Sequence, residues 1–130
     1  MTLASTCILI ACLLPSATIA LAKAASFRSQ DKSARYDNDN PRQWGARLSG
    51  WQQRANAAQM NGFEALPLFI AGVLLAQQAQ ADQATINALA LSFIGIRVLY
   101  TAAYLLNWGA LRSIIWFAGL GVSVALLTLG

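Results

Sequence analysis

The stretch RANAAQMNGFEALP, from Arg54 to Pro67, decides the fold of this chain because it places a carboxylate within an apolar segment. It overlaps the run FEALPLFIAGVLLA, which predicts a membrane-spanning helix with Glu64 at or near membrane depth. Charge is costly at that depth, so an ionisable residue there is a candidate functional residue.

Arg54, Asn61 and Glu64 share one stripe of the predicted helix, because successive members lie seven and three residues apart. A polar stripe on a spanning helix faces protein or a wet cavity rather than lipid. Two interpretations are open from the residues alone. The stripe supplies either a structural Glu–Arg pair between helices or one wall of a binding site for a polar, charged ligand.

The composition is that of a small membrane protein. The chain has 130 residues, of which 11% are charged, and a mean hydropathy of +0.50. A span needs about 20 apolar residues, so this length accommodates four spans and little else. We therefore predict a single all-α membrane domain over residues 1–130.

Neither metal nor nucleic-acid binding is indicated. The chain has no histidine, and its two cysteines, Cys7 and Cys12, both lie in the first apolar run. Two cysteines cannot complete a zinc or iron–sulfur site, so we predict packing residues and no metal. The net charge of +4 does not indicate nucleic-acid binding, because seven of the nine basic residues fall within 23–54, mixed with acids and beside spans.

Four apolar runs predict spans at about residues 3–22, 55–79, 84–106 and 112–129, with a polar loop at 23–43. A cleaved signal peptide competes for the first run, but its basic n-region is missing and the run is long. Basic loops mark the cytoplasmic side, so both termini are expected in the periplasm. The absence of organellar signals favours a bacterial inner membrane.

The second helical segment is predicted to run unbroken from Gln43 to Ala81, which exceeds the thickness of the hydrocarbon core. Its first part would then lie in the interface or the cytoplasm, where Trp44 and Trp51 fit an aromatic belt. Pro67 is expected to bend the helix just past Glu64.

The third span presents Arg97, Tyr100 and Tyr104 on one face, because their spacings are three and four. A buried arginine needs an anion, which either Glu64 or a ligand carboxylate would provide. The tyrosines also fit the simpler role of interfacial anchors. Arg112 opens the fourth span, and Gly95, Gly119 and Gly121 are predicted at close helix contacts.

Three motifs occur in this order: NPR…W…RA…QMNGFEALPLF, then R-V-L-Y-x-x-x-Y, then L-R-S. Together they closely resemble the MAPEG superfamily, which contains the microsomal glutathione transferases and the leukotriene-synthase branch. The resemblance covers about residues 40–119 and is nearest to short bacterial members. It implies a four-helix membrane bundle assembled as a homotrimer. It also implies glutathione as thiol co-substrate between adjacent subunits, and an apolar small-molecule substrate that enters from the lipid bilayer.

The resemblance implies roles for eight residues. By position, the catalytic set is Arg112, Tyr100 and Tyr104, and the glutathione-binding set is Arg54, Gln59, Asn61, Glu64 and Arg97. Arg112 matches, with about one residue of offset, the arginine associated with activating the thiol. One position departs from the family pattern: members usually have an arginine seven residues before the Glu, and this chain has Ala57.

The expected function is that of a membrane-bound glutathione transferase or peroxidase that acts on apolar electrophiles by thiolate attack. The alternative is a non-catalytic membrane protein that binds lipid or hydrophobic ligands, which the departure at Ala57 favours. A small drug-efflux transporter also has four spans and one buried glutamate. Two-faced transport would not require arginines and tyrosines gathered at one membrane face.

Overall fold

A computed structural model describes all 130 residues and is entirely helical. The α-helices are α1 Leu3–Ser26, α2 Pro41–Ala46, α3 Gly50–Gln78, α4 Gln83–Leu105 and α5 Gly109–Leu129, with a 3-10 turn at Lys32–Ala34. All except α2 are long and apolar enough to span a membrane. The prediction of an all-helical chain with four spans is therefore confirmed.

The four long helices alternate in direction. Residues 27–49 and the turn 106–108 lie at one end of the bundle, which we call the loop end, and residues 79–82 lie at the other, the termini end. The α3 and α4 helices are central, because each of them packs against the other three long helices. The α1 and α5 helices lie on opposite sides of the α3–α4 pair.

Two apolar clusters form the core and lie toward opposite ends of the bundle. The cluster toward the termini end includes Phe69 and Phe93, whose rings stack with centroids 3.9 Å apart. The smaller cluster at the loop end joins Ile19, Ala22, Trp44 and Ala55. Asn61 and Glu64 of the polar stripe lie between the two clusters along α3.

The predicted unbroken helix from Gln43 to Ala81 is wrong. The α2 helix ends at Ala46 and α3 begins at Gly50, whose φ of +60° is a conformation that glycine adopts without steric cost. Because the chain turns there, α2 folds back and Trp44 is only 3% exposed, with its indole N–H donating to the carbonyl of Ala34 at 3.2 Å. Trp44 therefore belongs to the core and not to an interfacial belt.

Polar side chains join α1, α3 and α4 at the termini end. The Thr2 hydroxyl donates to Gln77 Oε1 at 2.8 Å, and Gln83 Nε2 donates to the same oxygen at 3.2 Å. Asn87 Oδ1 accepts from the backbone N–H of Ala4 at 3.1 Å and from Gln83 Nε2 at 2.8 Å. This network fixes the start of α1 against the facing ends of its neighbours.

The N-terminus of α4 is capped by Asp82. Its carboxylate accepts hydrogen bonds from the Thr85 hydroxyl at 2.6 Å and the Thr85 backbone N–H at 3.1 Å, and these bonds lower the pKa of Asp82. A carboxylate at this position satisfies a backbone donor that the helix leaves free. The short connection 79–82 therefore leads directly into the first turn of α4.

Close helix contact depends on Gly72, which sequence inspection missed. A Cβ at Gly72 would lie 2.9 Å from Leu126 Cβ and 3.1 Å from the carbonyl oxygen of Ser123. Among the three glycines predicted at close contacts, only at Gly119 would a Cβ have a neighbour, Ile96 Cγ2 at 3.3 Å. A Cβ at Gly95 or Gly121 would have no neighbour within 4 Å. The prediction of a close helix contact is therefore wrong for these two glycines within one chain.

We expect Gly72→Ala to lower the free energy of unfolding by about 1–3 kcal/mol, because the added methyl group overpacks the α3–α5 contact. Gly95→Ala is the matched control, and we expect it to be neutral or to stabilise the helix by up to about 1 kcal/mol. Thermal unfolding of the detergent-solubilised variants, followed by circular dichroism, measures both effects. Equal melting temperatures for the two variants would contradict this account of the α3–α5 contact.

Candidate functional site

Glu64 lines a cavity of about 160 Å³ between α3, α4 and α5. Its polar wall is formed by Asn61, Glu64, Arg97 and Ser123. The remaining wall is apolar and is formed by Ala65, Leu68, Phe93, Trp116, Gly119 and Leu120. Three residues of the predicted binding set, Asn61, Glu64 and Arg97, therefore meet in one cavity.

Arg97 is a buried cation, because it is only 5% exposed. Its guanidinium lies over the ring of Tyr100, 4.3 Å from the centroid, and it forms no salt bridge with Glu64. The face of an aromatic ring stabilises a cation, although it does not neutralise the charge as a carboxylate does. The structural Glu–Arg pair that the sequence left open is thus not formed, and Arg97 retains an unpaired positive charge beside the cavity.

Asn61 presents an unsatisfied acceptor at the same place. Its Oδ1 is buried and accepts no hydrogen bond. A buried polar atom without a partner is destabilising by about 1–3 kcal/mol, so most such atoms in proteins are paired. The side chain of Glu64, one turn further along α3, is exposed to the cavity. A ligand with N–H donors would satisfy both groups.

The α3 backbone behind this polar stripe is fixed by a contact with α1. A Cβ at Gly62 would lie 2.8 Å from Cγ of Pro15, so only glycine allows the proline ring to pack here. The same Cβ position is 3.8 Å from Nη2 of Arg97. Pro15 lies within α1, which continues from Leu3 to Ser26, and its ring supports the site from the side opposite α5.

A second cavity of about 230 Å³ adjoins the first toward the loop end. It is lined by Tyr100, Tyr104, Arg112, Ser113, Trp116 and Phe117, and Trp116 also lines the first cavity. The Arg112 guanidinium lies 4.3 Å from the centroid of the Tyr104 ring, and the rings of Tyr100 and Tyr104 meet edge to face at 5.8 Å. Arg97, Tyr100, Tyr104 and Arg112 therefore form a continuous row of cation, ring, ring and cation.

Two residues of the predicted binding set lie outside both cavities. Arg54 is half-buried and its Nε donates to the carbonyl of Leu105 at 3.2 Å, so it satisfies one of the carbonyls that the end of α4 leaves free. Gln59 Nε2 donates to Asn56 Oδ1 at 3.4 Å and lies on the α1 side of α3. Ala57 lines neither cavity.

Sequence inspection missed three residues of α5 that line the cavity, and two of them, Trp116 and Ser123, carry polar groups. Ser123 is 2% exposed and is the deepest polar group of the wall along α5. The two residues are seven apart, which is two helical turns, so they share a face of α5. That spacing was a usable signal, but nothing in the sequence shows which face of α5 meets α3.

The arrangement can bind a small zwitterion and favour a negative charge beside it. Arg97 can pair with a carboxylate, while Glu64 and Asn61 Oδ1 can accept hydrogen bonds from ammonium or amide groups. Arg112 and the phenols of Tyr100 and Tyr104 can stabilise an anion such as a thiolate. No group of three or more metal-ligating side chains occurs.

Comparison with known proteins gives one match. The sequence model of the MAPEG family matches residues 3–130, which is nearly the whole chain. Neither the curated proteins nor the solved structures include a match. The matched range extends beyond residues 40–119, over which the motifs carry the resemblance.

Proposed function

This chain belongs to the MAPEG family, and we propose that it is a glutathione transferase or peroxidase that acts on apolar electrophiles. The family and the four apolar helices make it an integral membrane protein of the glutathione and eicosanoid metabolism superfamily. One observation carries the proposal. A buried arginine without a carboxylate partner, Arg97, and a residue whose buried amide oxygen has no donor, Asn61, line the same cavity.

Glutathione has the groups that this cavity lacks. It offers two carboxylates, an ammonium group, two amide N–H groups and a thiol. In our proposal Arg97 pairs with a carboxylate, while Glu64 accepts from the ammonium group and Asn61 Oδ1 from an amide. The binding free energy then comes from groups that are left unsatisfied in the chain alone.

Arg112 is the residue we propose for activation of the thiol. A free thiol has a pKa of about 8.5 and is mostly protonated at neutral pH, and a nearby guanidinium favours the thiolate. Each unit by which the thiol pKa is lowered corresponds to about 1.4 kcal/mol of preferential stabilisation of the thiolate. The thiol gives up its proton to water, and Tyr100 or Tyr104 donates a hydrogen bond to the resulting thiolate. The sulfur then bonds to the electrophilic carbon as the bond between that carbon and its leaving group breaks.

We further propose that the assembly is a homotrimer with the site between adjacent subunits. The α5 helix is the least buried of the long helices, and its side chains Ile114 and Phe117 are 67% and 66% exposed. An apolar face of this kind suits either lipid or a second subunit. The apolar co-substrate then enters laterally from the bilayer, beside Trp116.

The charge distribution supports an orientation within this proposal. Basic residues are concentrated at the loop end, in residues 23–54 and at Arg112. Positive loops face the cytoplasm, so we propose a cytoplasmic loop end and periplasmic termini in a bacterial inner membrane. The proposed glutathione site then opens toward the compartment that holds most of the cell's glutathione pool.

A second candidate function is a non-catalytic protein that binds lipid or hydrophobic ligands. It is favoured by the environment of position 57 and its nearest arginine. Ala57 lines neither cavity, and Arg54 donates to the Leu105 carbonyl. One ligand carboxylate would therefore lack its expected cation. Thiol-dependent turnover distinguishes this candidate from the transferase.

Calorimetric titration of glutathione into the detergent-solubilised protein tests the proposal. We expect specific binding, and we expect Glu64→Ala to weaken it by roughly 10- to 100-fold, because a hydrogen bond to a charged group contributes about 1.5–3 kcal/mol. Gln78→Ala, an exposed position at the far end of α3, is the matched control and should bind as the unchanged protein does. No binding at millimolar glutathione would contradict the proposal and favour the lipid-binding candidate.

A further inference from the structure

The cavity that Glu64 lines continues past its charged residues toward the termini end. On α3, Leu68 lies one turn beyond Glu64. On α4, which runs in the opposite direction, Phe93 lies one turn beyond Arg97. The part of the cavity beyond the charged residues, which we call the cavity floor, is formed by Leu68, Phe93, Leu120 and Ser123. None of the residues proposed above to bind or activate glutathione belongs to this floor.

Ser123 carries a buried hydroxyl that has no partner in the chain. The other buried serine and threonine are Ser26 and Thr18, whose hydroxyls donate to the carbonyls of Lys23 at 2.6 Å and Leu14 at 2.8 Å. A hydroxyl within a helix commonly bonds to the preceding turn in this way. Ser123 is 2% exposed and forms no such bond, and its side chain lines the cavity. The hydroxyl is therefore free to bond to a group in the cavity.

The depth of Ser123 makes this free hydroxyl informative. It lies about 21 Å along α5 from Gly109, the first residue of the helix, and the hydrocarbon core is about 30 Å thick. Bulk water does not reach this depth, and a polar group without a hydrogen bond is unfavourable there. A ligand oxygen that bonds to Ser123 would remove this cost.

The size and lining of the cavity limit the ligand that fits it. Its volume of about 160 Å³ is close to the roughly 150 Å³ of an apolar cavity that holds one benzene molecule. The rings of Phe93 and Trp116 line it, and aromatic rings pack favourably on one another. The floor has no charged residue, so a charged group would not be stabilised beside Ser123. One aromatic ring with a neutral oxygen substituent meets all three conditions.

We propose that Ser123 determines the specificity of this site for the electrophile, and that the electrophile is a small aromatic compound with a neutral oxygen substituent remote from its reacting carbon. The assignment of the ligand as the electrophile rests on the proposed function. The ring lies in the cavity floor and its oxygen bonds to the Ser123 hydroxyl. The reacting carbon points toward Trp116, where the cavity adjoins the one lined by Arg112.

The first test measures binding without turnover. Benzyl alcohol and ethylbenzene are the probes, because they have nearly the same shape and differ by one oxygen. The detergent-solubilised protein is labelled with fluorotryptophan, and the fluorine NMR signal of Trp116, assigned by its loss in Trp116→Phe, reports on the cavity. We expect both probes to shift this signal and neither to shift that of Trp51, which lines none of the cavities described above.

Ser123→Ala should remove the preference for the oxygen. The ratio of the dissociation constants of benzyl alcohol and ethylbenzene should rise by about 2- to 10-fold, the effect of losing one neutral hydrogen bond. Comparing ratios cancels the partition of each probe into detergent. The variant should fold normally, because the hydroxyl has no partner in the chain. Ser92→Ala is the matched control, since Ser92 is an exposed serine of α4 outside the cavity, and it should leave the ratio unchanged.

The second test measures turnover with glutathione. The substrates are para-(hydroxymethyl)benzyl chloride and para-ethylbenzyl chloride, which again differ by one oxygen. In both reactions the thiolate sulfur bonds to the benzylic carbon as the carbon–chlorine bond breaks, and chloride leaves with the bonding electrons. We expect the ratio of their kcat/KM values to fall by about 2- to 10-fold in Ser123→Ala and to stay constant in Ser92→Ala.

The two tests separate this inference from the proposed function. A Trp116 signal that neither probe shifts, or a ratio of dissociation constants that Ser123→Ala leaves unchanged, would overturn the inference. An equal change of ratio in Ser92→Ala would also overturn it. Oxygen-dependent binding without turnover of either chloride would support the ligand class of the cavity and contradict the transferase. Turnover of both chlorides with the same ratio in Ser123→Ala would support the transferase and overturn the role of Ser123.

Discussion

Arg112→Ala should lower thiol-dependent turnover by about 100- to 1,000-fold, the loss that follows removal of one group stabilising a developing or reacting anion. The dissociation constant for glutathione should change by less than about threefold, because Arg112 lies in the second cavity, away from Asn61 and Glu64. The ring of Tyr104 beneath the guanidinium, 4.3 Å away, holds it in place before any ligand binds. Steady-state rates with a soluble electrophile and calorimetric affinities separate the two effects.

The pH dependence of the rate identifies the cause of this loss. If Arg112 favours the thiolate, the variant should require a higher pH to reach its maximal rate, since the thiol pKa returns toward about 8.5. Arg112→Lys keeps the charge and should recover part of the rate. Arg47→Ala, at an exposed arginine of the loop end, is the matched control. Activity that survives in Arg112→Ala would show that another group activates the thiol.

Arg97→Met should strongly weaken glutathione binding without destabilising the ligand-free protein. Arg97 is 5% exposed and has no salt bridge to Glu64, so the chain alone bears the cost of an unpaired buried charge. Replacing such a group by an apolar side chain of similar volume is often neutral or stabilising. Losing one partner of a buried charged contact with the ligand weakens binding by about 2–5 kcal/mol, or roughly 30- to 5,000-fold.

Arg54→Met provides the comparison, because we expect this variant to lower the stability of the ligand-free protein. Arg54 donates to the Leu105 carbonyl, and its removal leaves that end of α4 unsatisfied, which costs about 1–3 kcal/mol. Melting temperatures of both variants, with and without glutathione, measure their stability and show whether glutathione still binds. A larger loss of stability in Arg97→Met than in Arg54→Met would mean that Arg97 has an anionic partner within the protein.

The four spans could be predicted because hydropathy is a local property of the chain. The break between α2 and α3 was missed, although serine is a preferred N-cap residue and glycine adopts positive φ readily, and Ser49 and Gly50 stand at this break. The burial of Trp44 could not be predicted, because it depends on that break, on the hydrogen bond to Ala34 and on packing against Ile19 and Ala55.

The site was predictable where helical spacing determines it. Asn61 with Glu64, and Arg97 with Tyr100 and Tyr104, were placed on common faces by spacing and meet around two adjoining cavities. Spacing also places Gln59 and Glu64 on different faces of α3, because five residues correspond to about 140° around a helix. The partner of Arg54, Leu105, is 51 residues away and could only come from the fold.

The contacts of α1 have a consequence for the biosynthesis of the protein. Its hydrogen-bonding and packing partners, such as Gln52, Gly62 and Gln77 of α3, are all translated after it. Of the four spans α1 is therefore the one that is made before any of its neighbours, and until α3 follows it must persist in the bilayer without them. It has the highest hydropathy of the four spans, whereas α3, which is surrounded by all its neighbours once they are made, has the lowest. Apolar character is thus greatest in the span that is made before any of its partners.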